Sequence, residues 1–111
     1  MSDSIFTKIM AGEIPATLVY EDEVVICIED IAPKAPVHVL LIPRKPIVSL
    51  AHLQAEDNDI MAHMMMKIPE IALQLGLNNG FRTIINTGKD GGQVVDHLHF
   101  HIIGGKRFGF E

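Results

Sequence analysis

Three of the six histidines in this 111-residue chain occupy every second position of the stretch DHLHFHIIGG. His97, His99 and His101 alternate there with apolar residues. Because successive side chains of a β-strand point to opposite faces, the three imidazoles would form a row on one face, with about 6.6 Å between neighbouring Cα atoms of the row. Histidine is not a preferred strand residue, so its repetition in phase indicates a functional site.

Two kinds of chemistry suit this row of histidines. A His-x-His pair can chelate zinc or iron if a further ligand is supplied, and His38 and Asp96 are the candidates for that ligand. A neutral imidazole can instead act as a nucleophile when one ring nitrogen is held as a donor and the other presents its lone pair. Gly88, Gly91 and Gly92 precede the row and allow backbone N–H groups to converge on an anion such as phosphate, which favours the nucleophile.

The segments around the histidines predict an α+β domain. Apolar residues at helical spacing indicate a short N-terminal helix within 4–15 and a main helix over 57–75, which contains Pro69. Segments rich in β-branched and apolar residues predict strands over 16–21, 24–29, 37–43, 81–87 and 94–103. Hairpin-length connections predominate, so we expect a mostly antiparallel sheet of about five strands.

Length, composition and charge narrow the class of protein. The chain has 111 residues, of which 48% are hydrophobic, so we expect one globular domain over 1–111. A net charge of −5 with scattered basic residues argues against nucleic-acid binding. No apolar run approaches the roughly 20 residues of a membrane-spanning helix, so no membrane partner is expected. A single cysteine, Cys27, and an N-terminus unlike a secretory signal favour a cytoplasmic location.

The stretch NTGKDGGQVVDHLHFHIIGG resembles the signature of the histidine triad (HIT) proteins, in which three histidines alternate with apolar residues as they do over 97–103. The resemblance extends through IFTKIMAGEIPATLVYEDE and EDIAPKAPVHVLLIPRK, in the order and spacing of the HINT branch. It implies a HIT-like fold and a small homodimeric hydrolase or transferase of nucleoside monophosphate derivatives. HINT-like proteins typically cleave the P–N bond of adenosine or guanosine phosphoramidates, and the resemblance implies neither a cofactor nor a metal requirement.

The resemblance also implies a role for each matching residue. His99 would attack the α-phosphorus and form a nucleotidyl-histidine that water hydrolyses, while His97 and His101 position this ring and the phosphate. His38 would support the triad from the adjacent strand, and Asp30 would accept hydrogen bonds from both ribose hydroxyls. Without the resemblance, His38 reads as a hydrogen-bonded core histidine and Asp30 as a loop cap. The matching phosphate and leaving-group contacts are Asn86, Gly92 and Gln93, and the matching apolar walls around the base are Phe6, Ile9, Ile28 and Ile31.

Departures from the family pattern leave alternatives open. Val94 stands where the family often has a hydroxyl residue, and loss of one transition-state donor can cost about 3 kcal/mol. Ile28 and Glu29 replace the aromatic residue and histidine that some relatives have beside the base, so the preference for adenine or guanine stays open. A C-terminal extension present in some relatives is shortened to FGFE. The alternatives are a dinucleoside polyphosphate hydrolase of another HIT branch and a non-catalytic nucleotide- or zinc-binding module.

Overall fold

The computed structural model describes residues 4–110 and contains a single five-stranded antiparallel sheet within that range. The two helices are α1 (Ile5–Met10) and α2 (Asn58–Gln74), and two short 3-10 turns cover Leu50–His52 and Ala55–Asp57. The strands are β1 (Leu18–Glu21), β2 (Val25–Glu29), β3 (Val37–Pro43), β4 (Arg82–Ile84) and β5 (Phe100–Gly104). Their order in the sheet is β1-β2-β3-β5-β4. The predicted α+β fold with one short and one main helix is confirmed.

Each face of the sheet carries its own apolar core because strand side chains alternate. On the first face, which we call the α2 face, Met64, Ile68 and Ile71 of α2 pack against residues of β2, β3 and β5, including the fully buried Cys27. On the opposite face, the α1 face, Phe6 packs in a smaller cluster. That cluster also contains Ile26, Ile28, Leu40 and Ile42. The central strand β3 is covered on both faces, as its continuous apolar sequence predicts.

The helices begin and end close to where the sequence predicts. The hydroxyl of Ser4 accepts hydrogen bonds from the backbone N–H groups of Phe6 and Thr7, at 3.1 and 3.2 Å, and so caps α1. The main helix α2 continues through Pro69, and Gly76 follows its end with a φ of 78°. Neither helix in the described part of the chain has the length and apolarity needed to cross a membrane.

The predicted strands over 81–87 and 94–103 are wrong at their bounds, because β4 ends at Ile84 and β5 begins only at Phe100. The pairing of β3 with β5 stops at Leu41 and Phe100, two residues before Pro43, which has no N–H for a ladder. The N–H of Leu98 instead donates to the Ile47 carbonyl at 2.7 Å. His97 and His99 therefore precede the strand.

The alternation of side chains nevertheless extends back beyond the start of β5. Leu98 is buried in the core of the α2 face together with Phe100. The rings of His97 and His99 contact Phe6 on the α1 face, and the ring of His101 lies 5.0 Å from that of His99 between centroids. The predicted placement of the three histidines on one face is confirmed, although only one of them lies in a strand.

Candidate active site

The central histidine of the row is held in one tautomer. Its Nδ1 lies 2.7 Å from the backbone oxygen of His97, and a carbonyl oxygen only accepts hydrogen bonds, so Nδ1–H of His99 is the donor. In the neutral ring Nε2 then has no hydrogen and presents its lone pair. His99 is 7% exposed, so this lone pair lies at a site that is shielded from bulk solvent.

Both ring nitrogens of His97 are hydrogen-bonded within the protein. Its Nε2 donates to the Pro43 carbonyl at 2.8 Å, and its Nδ1 lies 3.1 Å from the hydroxyl of Ser4. Burial lowers the pKa of His97, which favours the neutral ring, although the Pro43 carbonyl opposes this shift. A neutral ring that donates through Nε2 must accept through Nδ1. His97 is therefore a buried support for its neighbours, with neither nitrogen left to contact a phosphate directly.

His38 and His101 form a second hydrogen-bonded pair on the same face. The backbone N–H of Lys34 donates to Nδ1 of His38 at 3.0 Å, so the neutral ring of His38 carries its proton on Nε2. This Nε2 lies 3.0 Å from Nδ1 of His101, which accepts and keeps its own proton on Nε2. Burial, followed by the charges of His99 and His38, lowers the pKa of His101 to about 4. His101 therefore offers a neutral N–H donor near neutral pH.

Asp30 lies beside this pair and also caps its own loop. One carboxylate oxygen accepts from the backbone N–H of Ala32 at 2.8 Å, the loop cap expected without the family resemblance. The other oxygen, Oδ2, lies 3.3 Å from Nε2 of His38. The side chain of Asp30 is 19% exposed, so its carboxylate keeps contact with solvent at the rim of the site.

Asp30, His38 and His101 offer three possible metal-ligand atoms that lie within 4.8 Å of one another. The hydrogen bond from Lys34 opposes their use as a metal site. A metal bound to Nε2 of His38 would require the ring proton to move to Nδ1, where the N–H of Lys34 already points. The donor set therefore suits a hydrogen-bonded relay better than a metal ion.

The apolar residues predicted around a base fall into two groups. Phe6 and Ile28 are buried together on the α1 face with Ile9 packed against them, and the ring of Phe6 lies 5.0 Å from that of His99 at an interplanar angle of 69°. Ile31 is 92% exposed, so it could contact a base only from the solvent side. Strand alternation assigns Glu29 to the face opposite Ile28, so its carboxylate does not adjoin this wall.

The loop between β4 and the triad is braced by the side chain of Asn86. Its Nδ2 donates to the Gly91 carbonyl at 2.8 Å. A Cβ on Gly91 would approach the backbone oxygen of Thr87 to 2.3 Å, so only glycine fits there without a shift of the backbone. Gly92 has a φ of 79°, a conformation that glycine adopts at little cost. The loop conformation thus depends on two adjacent glycines.

Gln93 ties the same loop to the body of the protein. Its Oε1 accepts from the N–H of Gly88 at 2.9 Å, and its Nε2 donates to the carbonyls of Val48 and Val95 at 2.7 and 2.9 Å. Both amide hydrogens of Gln93 are therefore already engaged, which leaves only an oxygen lone pair for a ligand. Val94 is 91% exposed and presents no hydroxyl.

Sequence reasoning missed two contributions to the site, those of Ser4 and the backbone N–H of Lys34. Ser4 lies 93 positions from the histidine that it contacts. The bond from Lys34 is made by the main chain and leaves no signature in residue type. Neither a motif nor a periodicity can reveal contacts of these two kinds.

Known proteins resemble this chain over most of its length. The HIT domain family model matches residues 11–108. The chain belongs to the HIT family. HitA of Neisseria gonorrhoeae is 55% identical over 104 residues, which cover 94% of this chain and 97% of HitA.

Three solved structures extend the comparison to the fold. A histidine triad protein from Clostridium difficile has a TM-score of 0.93 at 44% identity, and the alignment covers 100% of this chain and 99% of that one. A HIT family hydrolase from Legionella pneumophila has a TM-score of 0.94 at 37% identity, with 97% of each chain covered. A histidine triad nucleotide-binding protein from Candida albicans has a TM-score of 0.82 at 27% identity, with 98% of this HIT chain and 87% of that one covered.

Proposed function

We propose that this HIT protein is a HINT-like hydrolase of small purine nucleotide conjugates that cleaves the P–N bond of nucleoside 5′-phosphoramidates. The observation that carries the proposal is the 2.7 Å hydrogen bond from Nδ1 of His99 to the His97 carbonyl. It leaves Nε2 of the neutral ring unprotonated, which nucleophilic attack on phosphorus requires. Similarity to the Legionella hydrolase and the Candida nucleotide-binding protein supports the same class of activity.

In the first step, Nε2 of His99 would form a bond to the α-phosphorus while the P–N bond breaks and the leaving nitrogen takes up a proton from solvent. The ring of His99 becomes cationic in the nucleotidyl-histidine, and its Nδ1–H already donates to a carbonyl that stabilises this charge. The Nε2–H of His101, backed by His38, would donate to the phosphoryl group or leaving nitrogen. Water would then attack the phosphorus and return a proton to solvent, while the bond from phosphorus to Nε2 breaks, which releases the nucleoside monophosphate and regenerates neutral His99.

The remaining predicted contacts belong to the same proposal. Phe6, Ile9 and Ile28 would form the wall around the base, with Ile31 on its solvent side. The carboxylate of Asp30 would accept hydrogen bonds from the ribose hydroxyls. The phosphate would lie at the glycine loop, where the supporting residues are Asn86, Gly92 and Gln93.

We further propose a cytoplasmic homodimer that contains one HIT domain per chain, over residues 1–111. The outer surface of α2 exposes Met65, Met66 and Leu73 at 53, 67 and 71%, an apolar strip that a second copy of the chain would cover. Sedimentation of the wild-type protein should therefore give the mass of a dimer, and Met66→Glu should shift the equilibrium towards monomer. A wild-type protein that stays monomeric at micromolar concentration would contradict this assembly.

The central experiment is incubation with a fluorogenic adenosine 5′-phosphoramidate, with and without a chelator, followed by intact-mass analysis. We expect turnover that survives chelation and a nucleotidyl adduct that is lost in His99→Ala. His52→Ala is the matched control, because this exposed histidine contacts Ser49 rather than the triad. Absence of turnover in the wild type, despite AMP binding, would contradict the proposed function.

Two further measurements separate the alternative functions. Faster cleavage of diadenosine polyphosphate than of the phosphoramidate would place the protein in another branch of the family. A stoichiometric metal that leaves only with chelator, together with AMP binding and no turnover, would favour a zinc- or nucleotide-binding module. The cluster of Asp30, His38 and His101 would then be the place to test by substitution.

A further inference from the structure

The hydroxyl of Ser4 makes three hydrogen bonds, which is all that a hydroxyl can make. Its oxygen accepts from the backbone N–H groups of Phe6 and Thr7, at 3.1 and 3.2 Å. The same oxygen lies 3.1 Å from Nδ1 of His97. A hydroxyl has two lone pairs and one hydrogen, so its hydrogen is the one left for the bond to His97.

The opposite side of the His97 ring gives the same proton assignment independently. The carbonyl of Pro43 can only accept, so the ring proton of His97 lies on Nε2. A neutral ring with its proton there has a lone pair on Nδ1, which faces the hydroxyl hydrogen of Ser4. His97 is 1% exposed, so water cannot readily replace either partner.

His97 connects this arrangement to the nucleophile. Its backbone oxygen receives the hydrogen bond from Nδ1 of His99, so two hydrogen bonds, joined through the covalent frame of His97, connect Ser4 to the reacting ring. The helix that Ser4 caps also carries Phe6, whose ring lies 5.8 Å from that of His97 and 5.0 Å from that of His99. The start of α1 and the orientation of both histidines are therefore set together.

We propose that Ser4 is a positioning residue for the nucleophile, whose hydroxyl hydrogen fixes the ring of His97 and thereby the His97 carbonyl that orients His99. The effect of this positioning role on turnover rests on the proposed function. The hydrogen bond itself can be tested without a substrate. The titratable group that faces His97 is His99, so both rings must be observed in the same experiment.

Three substitutions separate the two roles of the Ser4 hydroxyl. Ser4→Ala removes both the helix cap and the hydrogen-bond donor. Ser4→Asp keeps a good helix cap, but an ionised carboxylate has no hydrogen to donate to His97. Ser4→Thr keeps both functions and serves as the conservative control. A purely structural role in capping α1 predicts that the Asp and Thr variants behave alike.

The experiment measures kcat and KM on the adenosine phosphoramidate, thermal stability, and the ¹⁵N resonances of the histidine rings by NMR. We expect kcat to fall about tenfold in Ser4→Ala and Ser4→Asp, with KM changed by less than about twofold, and to recover in Ser4→Thr. The Nδ1 resonance of His97 should shift in Ser4→Ala, because it loses its donor. In Ser4→Asp, the same resonance should show that Nδ1 of His97 carries a proton, because the carboxylate can only accept a hydrogen bond.

Two results would overturn the inference. Recovery of kcat in Ser4→Asp to the level of Ser4→Thr would show that capping alone matters. An Nδ1 resonance of His97 that is the same in the wild type and in folded Ser4→Ala would show that no hydrogen bond was lost. Wild-type protein without turnover would instead contradict the proposed function, while the NMR comparison would still decide the role of Ser4.

Discussion

Two histidines of this protein make hydrogen bonds of the same length to partners of different charge. Nδ1 of the buried His99 donates to the neutral carbonyl of His97 at 2.7 Å. Nε2 of His63, whose side chain is 31% exposed, lies 2.7 Å from a carboxylate oxygen of Asp22. The carbonyl of His97 in its buried site selects one neutral tautomer of His99, whereas the carboxylate of Asp22 binds a ring that is partly open to solvent. The partner and the burial, rather than the distance, therefore distinguish a ring that keeps a lone pair within the candidate active site from a ring that joins a structural hydrogen-bond cluster.

The hydrogen bonds around the two histidines also differ. In the hairpin cluster, formed by Tyr20, Asp22 and His63, the Asp22 carboxylate also accepts from the Tyr20 hydroxyl and from the N–H groups of Val24 and Val25. Burial raises the pKa of Asp22, but these hydrogen bonds and the one from His63 outweigh it and hold the pKa well below its usual range. This cluster fastens the β1–β2 turn to α2, whereas the triad leaves one lone pair unused.

The largest expected effect is the loss of activity in His99→Ala. Removing the proposed nucleophile should reduce turnover of the phosphoramidate by about 10⁴-fold or more, because the hydrogen bonds of His97 and His101 leave neither ring with a free unprotonated nitrogen to replace it. Asp22→Ala should leave kcat within about twofold, which sharpens the contrast between the two regions. Kinetics of both variants, with circular dichroism to verify folding, provide the measurement. Equal losses of kcat in the two variants would remove the distinction.

The second prediction is that acid lowers the free energy of unfolding through the two regions in different pH ranges. Burial lowers the pKa of His101 to about 4 from an ordinary 6.5, and the pKa values of His97 and His38 are also lowered by burial. Between the ordinary pKa of 6.5 and the folded pKa of about 4 for His101, the unfolded chain binds more protons than the folded one. The free energy of unfolding therefore falls as the pH decreases from about 6.5 to about 4. His101 accounts for at most about 3 kcal/mol of that loss.

Chemical denaturation at pH 7, 6, 5 and 4.5 measures this dependence. His101→Gln should flatten the slope, since its amide oxygen can still accept from Nε2 of His38 without titrating. The stabilisation from Asp22 is present above its ordinary pKa of 3.8 and should be lost only at lower pH. A slope that is unchanged in His101→Gln would show that this ring does not contribute.

The third prediction is a loss of stability without loss of chemistry in the hairpin cluster. Asp22→Ala deprives the N–H groups of Val24 and Val25 and the Tyr20 hydroxyl of their acceptor, so we expect a destabilisation of about 2 kcal/mol. The exposed neighbour Glu23 gives the matched control, and Glu23→Ala should change stability by less than about 0.5 kcal/mol. Similar unfolding midpoints for the two variants would contradict the proposed role of the cluster.

The smallest predicted effect is an increase in kcat from a substitution at the glycine loop. Val94→Ser restores a hydroxyl at a position that is 91% exposed, so stability should stay within about 0.5 kcal/mol of the wild type. An added donor to the transferred phosphoryl group should raise kcat up to about tenfold. Steady-state kinetics with the same phosphoramidate test this, with Val94→Thr as a second hydroxyl variant. A decrease in both variants would indicate that the apolar side chain itself serves the reaction.

Local patterns predicted the features that depend on neighbouring residues. The helical period over 57–75 gave α2 to within a residue at each end, and the apolar run of β3 indicated a strand that is covered on both faces. The alternation around His99 placed the three imidazoles on one side. These predictions succeed because side-chain periodicity within an element is itself the physical cause of its burial.

The features that the sequence did not predict depend on contacts between distant segments. The start of β5 depends on Pro43 and on the bond from Leu98 to Ile47, and the tautomer of His97 depends on the Pro43 carbonyl and the Ser4 hydroxyl. The exposure of Ile31 follows from the course of its loop rather than from its apolar side chain. Such contacts are set by tertiary packing, for which a single sequence carries no periodic signal.

The burial of Cys27 has a practical consequence for experiments on this protein. Burial raises the pKa of its thiol to about 12, so the reactive thiolate is almost absent at neutral pH and thiol reagents should not modify it in the folded state. A fluorophore attached through Val94→Cys would therefore label one chosen position beside the triad without prior removal of the native thiol. Nucleotide binding and release can therefore be followed optically in a protein that differs from the wild type only at position 94.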